Sequence, residues 1–466
     1  MSATLLLLLV LTDVPLREPG PLSLSEVQRS ADEVFPTLAA SRADVDGADA
    51  DRLTASGAFD PVWRTRAWGA PVSGYPQVRV DSVVEVPTPL WGTSFFAGYR
   101  IGAGKIPDYY RERETLSAGE IRLGVAVPIL RNGSIDRRRA TLARAELGQQ
   151  LAGLSLDQQR LEIARLAAFR YWDWVAAGRR REIARSLLQL AKDRDAALGA
   201  RARAGEVPIF DRQDNQRALA QREAFLVQAQ RGVEQSAFEL SLFLRDAQGQ
   251  PVTVEDARLP GAFPEPDPSL KERAQIDEAL ARRPEVQRLL TQKKQQEVEL
   301  AYQRNQLLPA LDVGLTYTQD LGSTSRPELE PLGKPELEVN ALLEVPLLYR
   351  AALGRTQGAR AGLSRLDAQL QLARDRVAVD VRDGLSAMGA AMDRITFTQQ
   401  EVAVSVLLEK GERTRFDLGD STLLFVNLRE QNAAEARLRE IDSLADFHKA
   451  TAALRAALAL PCAALR

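Results

Sequence analysis

One cysteine, Cys462, and one histidine, His448, are all that 466 residues offer of the side chains most common in metal sites and nucleophilic centres. A lone thiol builds no disulfide framework, and no zinc-ligand spacing is present. Aromatics are scarce at 6%, and no stretch reaches the roughly 20 apolar residues of a membrane-spanning helix. Strong charge of either sign is also missing. The formal net charge of -2 argues against a nucleic-acid binder, which presents a basic face to phosphates. There is no histidine pair, no cysteine beside a base and no glycine-rich phosphate loop, so neither an enzyme nor a cofactor is expected. Acidic pairs such as Asp44 and Asp46 read as solvated surface, and His448, in a helical stretch from Ile441 to Leu460, as an ordinary helix residue.

The missing hydropathy peak leaves one membrane class open, because a β-barrel strand buries only alternate residues in lipid. The apolar run Leu5–Leu11 reaches the lower limit of a secretory h-region, but no Lys or Arg precedes it and no A-x-A site follows before Pro15. Residues 1–23 therefore read as a degraded signal segment, with a short buried segment or a misplaced start codon as the other readings.

What the chain does have is self-similarity. Pro36 and Pro61 recur as Pro284 and Pro309 with one offset of 248, and each pair encloses a helix-compatible stretch. Val127-Pro128-Ile129-Leu130 recurs as Val345-Pro346-Leu347-Leu348, each ahead of a long helical region. Gly205-Glu206-Val207-Pro208-Ile209-Phe210 matches Gly419-Asp420-Ser421-Thr422-Leu423-Leu424. Four landmarks in one order imply an internal duplication: a first repeat at 24–245, a proline-rich linker at 246–268, a second repeat at 269–458 and a tail at 459–466.

Within each repeat the periodicity changes. Over Glu120–Val127 the apolar Ile121, Leu123, Val125 and Val127 oppose Glu120, Arg122, Gly124 and Ala126; Leu337, Val339, Ala341, Leu343 and Val345 oppose Glu336, Glu338, Asn340 and Glu344. Leu311–Tyr317 and Phe95–Ile101 alternate likewise, so strands are expected at about 92–128 and 309–346, two in each repeat. Their length suits a tilted membrane strand. Proline-free stretches of about 135–203 and 351–416 follow, each on the order of 100 Å long if helical throughout. Leu366, Leu370, Val377, Val381, Met388 and Ile395 keep near-heptad spacing, as do Leu219, Leu226, Val233 and Leu240 on a returning helix. These read as antiparallel helical hairpins at 135–245 and 351–458. Gly205 and Gly419 stand where helix C-caps belong, Pro208 opens the next helix, and Ser421 and Thr422 are candidate N-caps.

Four membrane strands cannot close a barrel, and an open edge in lipid leaves backbone groups unpaired, so the chain must oligomerise. Two copies would give eight strands with a filled interior, whereas three give twelve and a channel. An alternating segment, Val78 to Val86, is left over in the first repeat and is expected to lie outside the membrane.

This succession of proline-bracketed helix, strand pair, V-P-[IL]-L, long hairpin and glycine bend resembles the TolC-type outer membrane efflux proteins over roughly residues 24 to 458. The resemblance implies a homotrimer with a β-barrel in the outer membrane lipid of a Gram-negative bacterium and an α-helical barrel reaching into the periplasm. Its implied partners are a periplasmic adaptor and an inner-membrane RND or ABC pump, met at the bends Gly205–Ile209 and Gly419–Leu423. In the family an acidic residue six positions after the bend glycine contributes to a constriction. Asp211 matches that position in the first repeat, with an N-cap of the returning helix, three residues after Pro208, as its other reading, and Phe425 replaces it in the second. The competing reading is a soluble periplasmic coiled-coil adaptor, which would carry one hairpin rather than two.

Overall fold

The computed structural model describes residues 20–104, 114–204, 208–324 and 333–460. The leucine run, Gly205, Glu206, Val207 and Cys462 lie outside the described residues.

Two helices open on the recurring prolines. α1 (Leu24–Val34) is followed by α2 (Pro36–Ser56), and the counterpart of α2 in the second half begins at Pro284. Proline suits a helix start because its missing N–H has no intrahelical partner there. The long proline-free stretches form α3 (Arg137–Arg203, 67 residues) and α8 (Arg350–Asp417, 68 residues). Their returning partners are α4 (Ile209–Ser241, 33 residues) and α9 (Leu423–Ala457, 35 residues). The connection between halves holds the short α5 (Ser269–Arg273) and α6 (Ile276–Arg282), followed by α7 (Pro284–Asn305).

The described residues fall into two compact units, each drawing on both halves of the chain. The first comprises parts of Met1–Ala39, Gln159–Leu280 and Val377–Arg466 and is helical. Along α8 the heptad residues Val377, Val381, Met388 and Ile395 are buried in it, which is how a 3.5-residue repeat keeps one seam against its neighbours. On α3, Tyr171, Trp172, Trp174 and Val175 are all buried, while Arg170 and Asp173 hold the narrow face that remains open. The Tyr171 hydroxyl donates to the Leu22 carbonyl at 2.9 Å, and burial pushes its pKa up to about 12. His448 is stacked on Trp172 and Phe263 with ring centroids 4.3 and 5.8 Å away. Phe263 belongs to the proline-rich connection, so this stack pins that connection to the helices.

The second unit, Ala40–Gln158 and Ala281–Arg376, holds one sheet. Its strands are β1 (Val62–Ala70), β2 (Gln77–Pro87), β3 (Ser94–Gly104), β4 (Glu120–Pro128), β5 (Ala310–Asp320) and β6 (Glu336–Glu344). All neighbours are antiparallel and the order is β1-β2-β3-β4-β5-β6, an up-and-down meander joined across the two halves by β4 and β5. The expected count of four strands is therefore corrected to six. The stretch from Val78 to Val86 forms most of β2, paired with β3 from Gln77↔Gly104 to Pro87↔Ser94. Close pairing is built in: a Cβ on Gly98 would stand 2.8 Å from Val83 Cγ2 and 2.9 Å from the Ser82 carbonyl oxygen. β1 escapes a search for hydrophobic runs because Arg64, Arg66 and Trp68 alternate with Trp63, Thr65 and Ala67.

The passage from β4 into α3 is fixed by polar contacts. Asp136 N-caps α3 through the Arg139 amide at 2.8 Å, and Arg139 also donates to the carbonyls of Asn132 and Gly133 at 2.6 and 2.8 Å. Asn132 takes a left-handed φ of 68° and donates its amide to Asn305 Oδ1 at 2.6 Å, tying the start of α3 to the end of α7.

Candidate channel wall and helix bends

In an antiparallel sheet with this register, side chains on one face can be followed across every strand. Trp63 and Ala67 of β1 align with Val84 and Val80 of β2, which align with Ala97 and Ile101 of β3. Ala97 and Tyr99 continue into Leu123 and Ile121 of β4, Leu123 into Tyr317 of β5, and Tyr317 into Leu337 of β6. No charged residue stands on this face of any strand. Its polar groups are instead paired with protein. Trp63 Nε1 donates to Ser82 Oγ at 2.7 Å, Thr65 and Ser82 share a hydroxyl contact at 2.9 Å, and the Tyr99 hydroxyl donates to the Ala118 carbonyl at 2.7 Å.

The opposite face carries the charges. Asp81 of β2 accepts from Arg100 Nε of β3 at 3.2 Å and from Arg122 Nη1 of β4 at 3.4 Å, while Arg100 Nη1 reaches Glu120 at 3.4 Å. Asp312, Thr318, Asp320, Glu336 and Glu338 extend this face over β5 and β6. The usual distribution of a water-soluble sheet is inverted. Leu337 and Val339 are 63% and 68% exposed, whereas the Arg100 and Glu120 side chains are 17% and 12% exposed. The sheet thus has one charge-free face and one face of ion pairs, the division that a membrane barrel strand requires.

The bends lie in the helical unit. Gly419 takes φ 85°, and the amides of Gly419 and Asp420 return to the carbonyls of Phe416 and Arg415 at 3.0 and 2.8 Å, the 5→2 and 6→1 pattern of a Schellman stop. Thr422 occupies the N-cap position of α9 without a side-chain capping bond, and its neighbour Ser421 gives its hydroxyl to Glu412. Pro208 is the N-cap of α4, so Asp211 sits in the first helical turn beside the positive end of the helix and is not itself the cap. Ile209, Phe210, Leu424 and Phe425 are exposed, and Leu423 is buried.

Sequence reading missed the cluster just above these bends. Glu430 of α9 is fully buried and accepts from Arg194 of α3, from Arg222 of α4 at 2.8 Å and from Arg413 of α8 at 3.1 Å. One carboxylate thus joins all four long helices. Burial alone would raise its pKa, but the charges and hydrogen bonds of Arg194 and Arg222 outweigh it and hold the carboxyl below the ordinary value. The spacing of Leu423, Val426, Glu430 and Ala433 puts a glutamate in a heptad core position, which signals the need for a partner but not which residues supply it.

No family model matches the sequence, and no curated protein matches it. Solved structures do. The outer membrane protein VceC from Vibrio cholerae aligns with 94% of this chain and 96% of its own, at TM-score 0.65 and 16% identity. The open state of the Neisseria gonorrhoeae MtrE outer membrane channel aligns over 94% and 89%, at 0.64 and 15%. The Campylobacter jejuni CmeC outer membrane channel aligns over 94% and 85%, at 0.62 and 12%. This chain is similar to all three along nearly its whole length, at identities where only backbone architecture is shared.

Proposed function

We propose that this chain, which has the TolC-type fold of solved outer membrane channels, is the outer membrane channel component of a tripartite efflux or secretion system, a passive conduit for substrates delivered by an inner-membrane RND or ABC pump through a periplasmic adaptor. The carrying observation is the sheet, whose charge-free face crosses all six strands and whose ion pairs lie on the other face. A periplasmic adaptor would need neither an apolar outer face nor the two hairpins α3/α4 and α8/α9. The two sequence repeats supply one hairpin each, and the bends Gly205–Ile209 and Gly419–Leu423 are the adaptor-docking ends, with Asp211 and Phe425 at the gate.

The homotrimer follows from the fold resemblance. Strand arithmetic no longer selects it, because two copies of a six-stranded chain already supply twelve strands. Carbonate washing of membranes followed by light scattering in mild detergent tests the proposal. The channel stays with the membrane and then elutes at about three times the 51.3 kDa chain mass. Release by carbonate as a monomer overturns it.

A further inference from the structure

The β1–β2 hairpin raises the question of where the barrel closes. We infer that it crosses the outer membrane and that β1 pairs edge to edge with β6 of a neighbouring copy, giving six strands per chain and eighteen in the trimer. This rests on the channel reading above and adds which strands span the bilayer and which two form the seam.

Three observations carry it. The apolar face does not stop at β3: Val80 and Val84, then Ala67 and Trp63, continue it outward, and the polar groups there, Trp63 Nε1, Ser82 and Thr65, bond one another. Lipid demands this, since it offers polar groups no partner, whereas water leaves such hydroxyls free to point anywhere. On the other face Asp81 of β2 neutralises both Arg100 and Arg122. A barrel starting at β3 would take Asp81 from both arginines, leaving Arg100 with Glu120 alone. Finally, the two sheet edges match each other. β1 and β6 are nine residues each, with no proline within either and no bulge in their pairing, so each presents a continuous row of backbone groups to a further strand. A six-stranded meander sends its first and last strands in opposite directions, so their pairing across a seam is antiparallel like every other pair in the sheet. The non-lipid faces are of opposite sign, with Arg64 and Arg66 on β1 and Glu336 and Glu338 on β6.

The functional consequence concerns width. Barrel diameter grows roughly linearly with strand number, and barrels of 16 to 18 strands enclose an open aqueous channel. With eighteen strands the lumen has about twice the cross-section that twelve would give. Cargo size is then limited at the helix bends and not in the outer membrane.

Inter-copy disulfides distinguish the seams. Residues directly opposite in an antiparallel pair have Cα atoms about 4.5–5.5 Å apart, within disulfide reach. Strands three places apart are separated by roughly 14 Å, which is out of reach. In the full chain carrying Cys462→Ser, Ala67→Cys is combined in turn with Leu337→Cys, Val339→Cys, Ala341→Cys and Leu343→Cys, so that the seam register need not be known. A parallel series substitutes Ala97→Cys of β3 for Ala67→Cys. Membranes are treated with a lipid-soluble oxidant. Covalent ladders up to the trimer in the Ala67 series, with none in the Ala97 series, are expected. Ladders in the Ala97 series place the seam at β3 and overturn the inference while leaving the channel reading intact. A membrane-retained chain without ladders in either series overturns the inference as well. A chain that carbonate releases without ladders overturns the channel reading and this inference with it.

Discussion

Replacing Glu430 with glutamine removes one charge and almost no volume from a site where three guanidinium groups converge. Arg194, Arg222 and Arg413 all donate to this carboxylate, whose side chain has no solvent exposure. Glu409 keeps Arg413 paired at 2.5 Å, so the loss falls on Arg194 and Arg222, whose side chains are the more buried. Breaking a buried pair by neutralising one partner costs about 3–5 kcal/mol, because the remaining charges stay desolvated and repel. At about 1.4 kcal/mol per factor of ten, local opening of the four-helix region becomes more frequent by a hundredfold or more. Hydrogen exchange of the detergent-solubilised protein reads this directly: amides near Arg194, Arg222, Arg413 and Glu430 lose that protection, while those of the sheet do not. The sign with pH also follows. Because the carboxyl is held below its ordinary value, its contribution is complete above the ordinary carboxylate range and is lost as pH falls through the depressed value, so the wild type approaches the variant in acid. Unchanged exchange around the four residues at pH 7, or an equal increase in the sheet, refutes the reasoning.

Leu123→Arg on the apolar face is expected to cost roughly 2–4 kcal/mol if it lies near the bilayer midplane, whereas Glu338→Arg on the opposite face changes conductance and selectivity with little loss of assembly; heat-resistance of the oligomer on gels separates the two. Asp211→Asn keeps size and removes charge, so single-channel recordings should show weaker cation preference and less block by divalent ions, with unfolding unchanged; identical conduction makes Asp211 a first-turn helix residue only. His448 is buried neutral, its pKa lowered to about 4 by desolvation against the ordinary 6.5. The unfolded chain binds a proton that the folded chain refuses, so stability is full above pH 6.5 and falls by about 3 kcal/mol as pH drops toward 4, a slope that His448→Phe should remove from denaturant titrations.

Much of this architecture was legible because it is periodic. Heptads at Val377, Val381, Met388 and Ile395 gave the long helices, and strict alternation at Ile121–Val127 and Leu337–Val345 gave strands whose faces the register reproduces. β1 was not legible, because its outward positions include Thr65 and Gly69, small or polar groups acceptable only once Ser82 and Val78 stand beside them. β2 was read as an alternating segment, and alternation alone does not say which strands cross a membrane. The bend residues were found from glycine and proline spacing, which dictates backbone. Glu430 was not, because its partners lie on three other helices, up to 236 positions away along the chain.

The measurement closest to the central claim is depth-resolved quenching of a fluorophore attached at single cysteines, in the Cys462→Ser background, on protein reconstituted in lipid vesicles. Labels at Leu123 of β4, Leu315 of β5 and Val339 of β6, all on the charge-free face, should be quenched by nitroxides carried on lipid chains and shielded from iodide in the water. Labels at Thr318 and Glu338, on the opposite face, should show the reverse. Iodide quenching at both sets, without any from the lipid nitroxides, would contradict a sheet in the membrane and with it the channel.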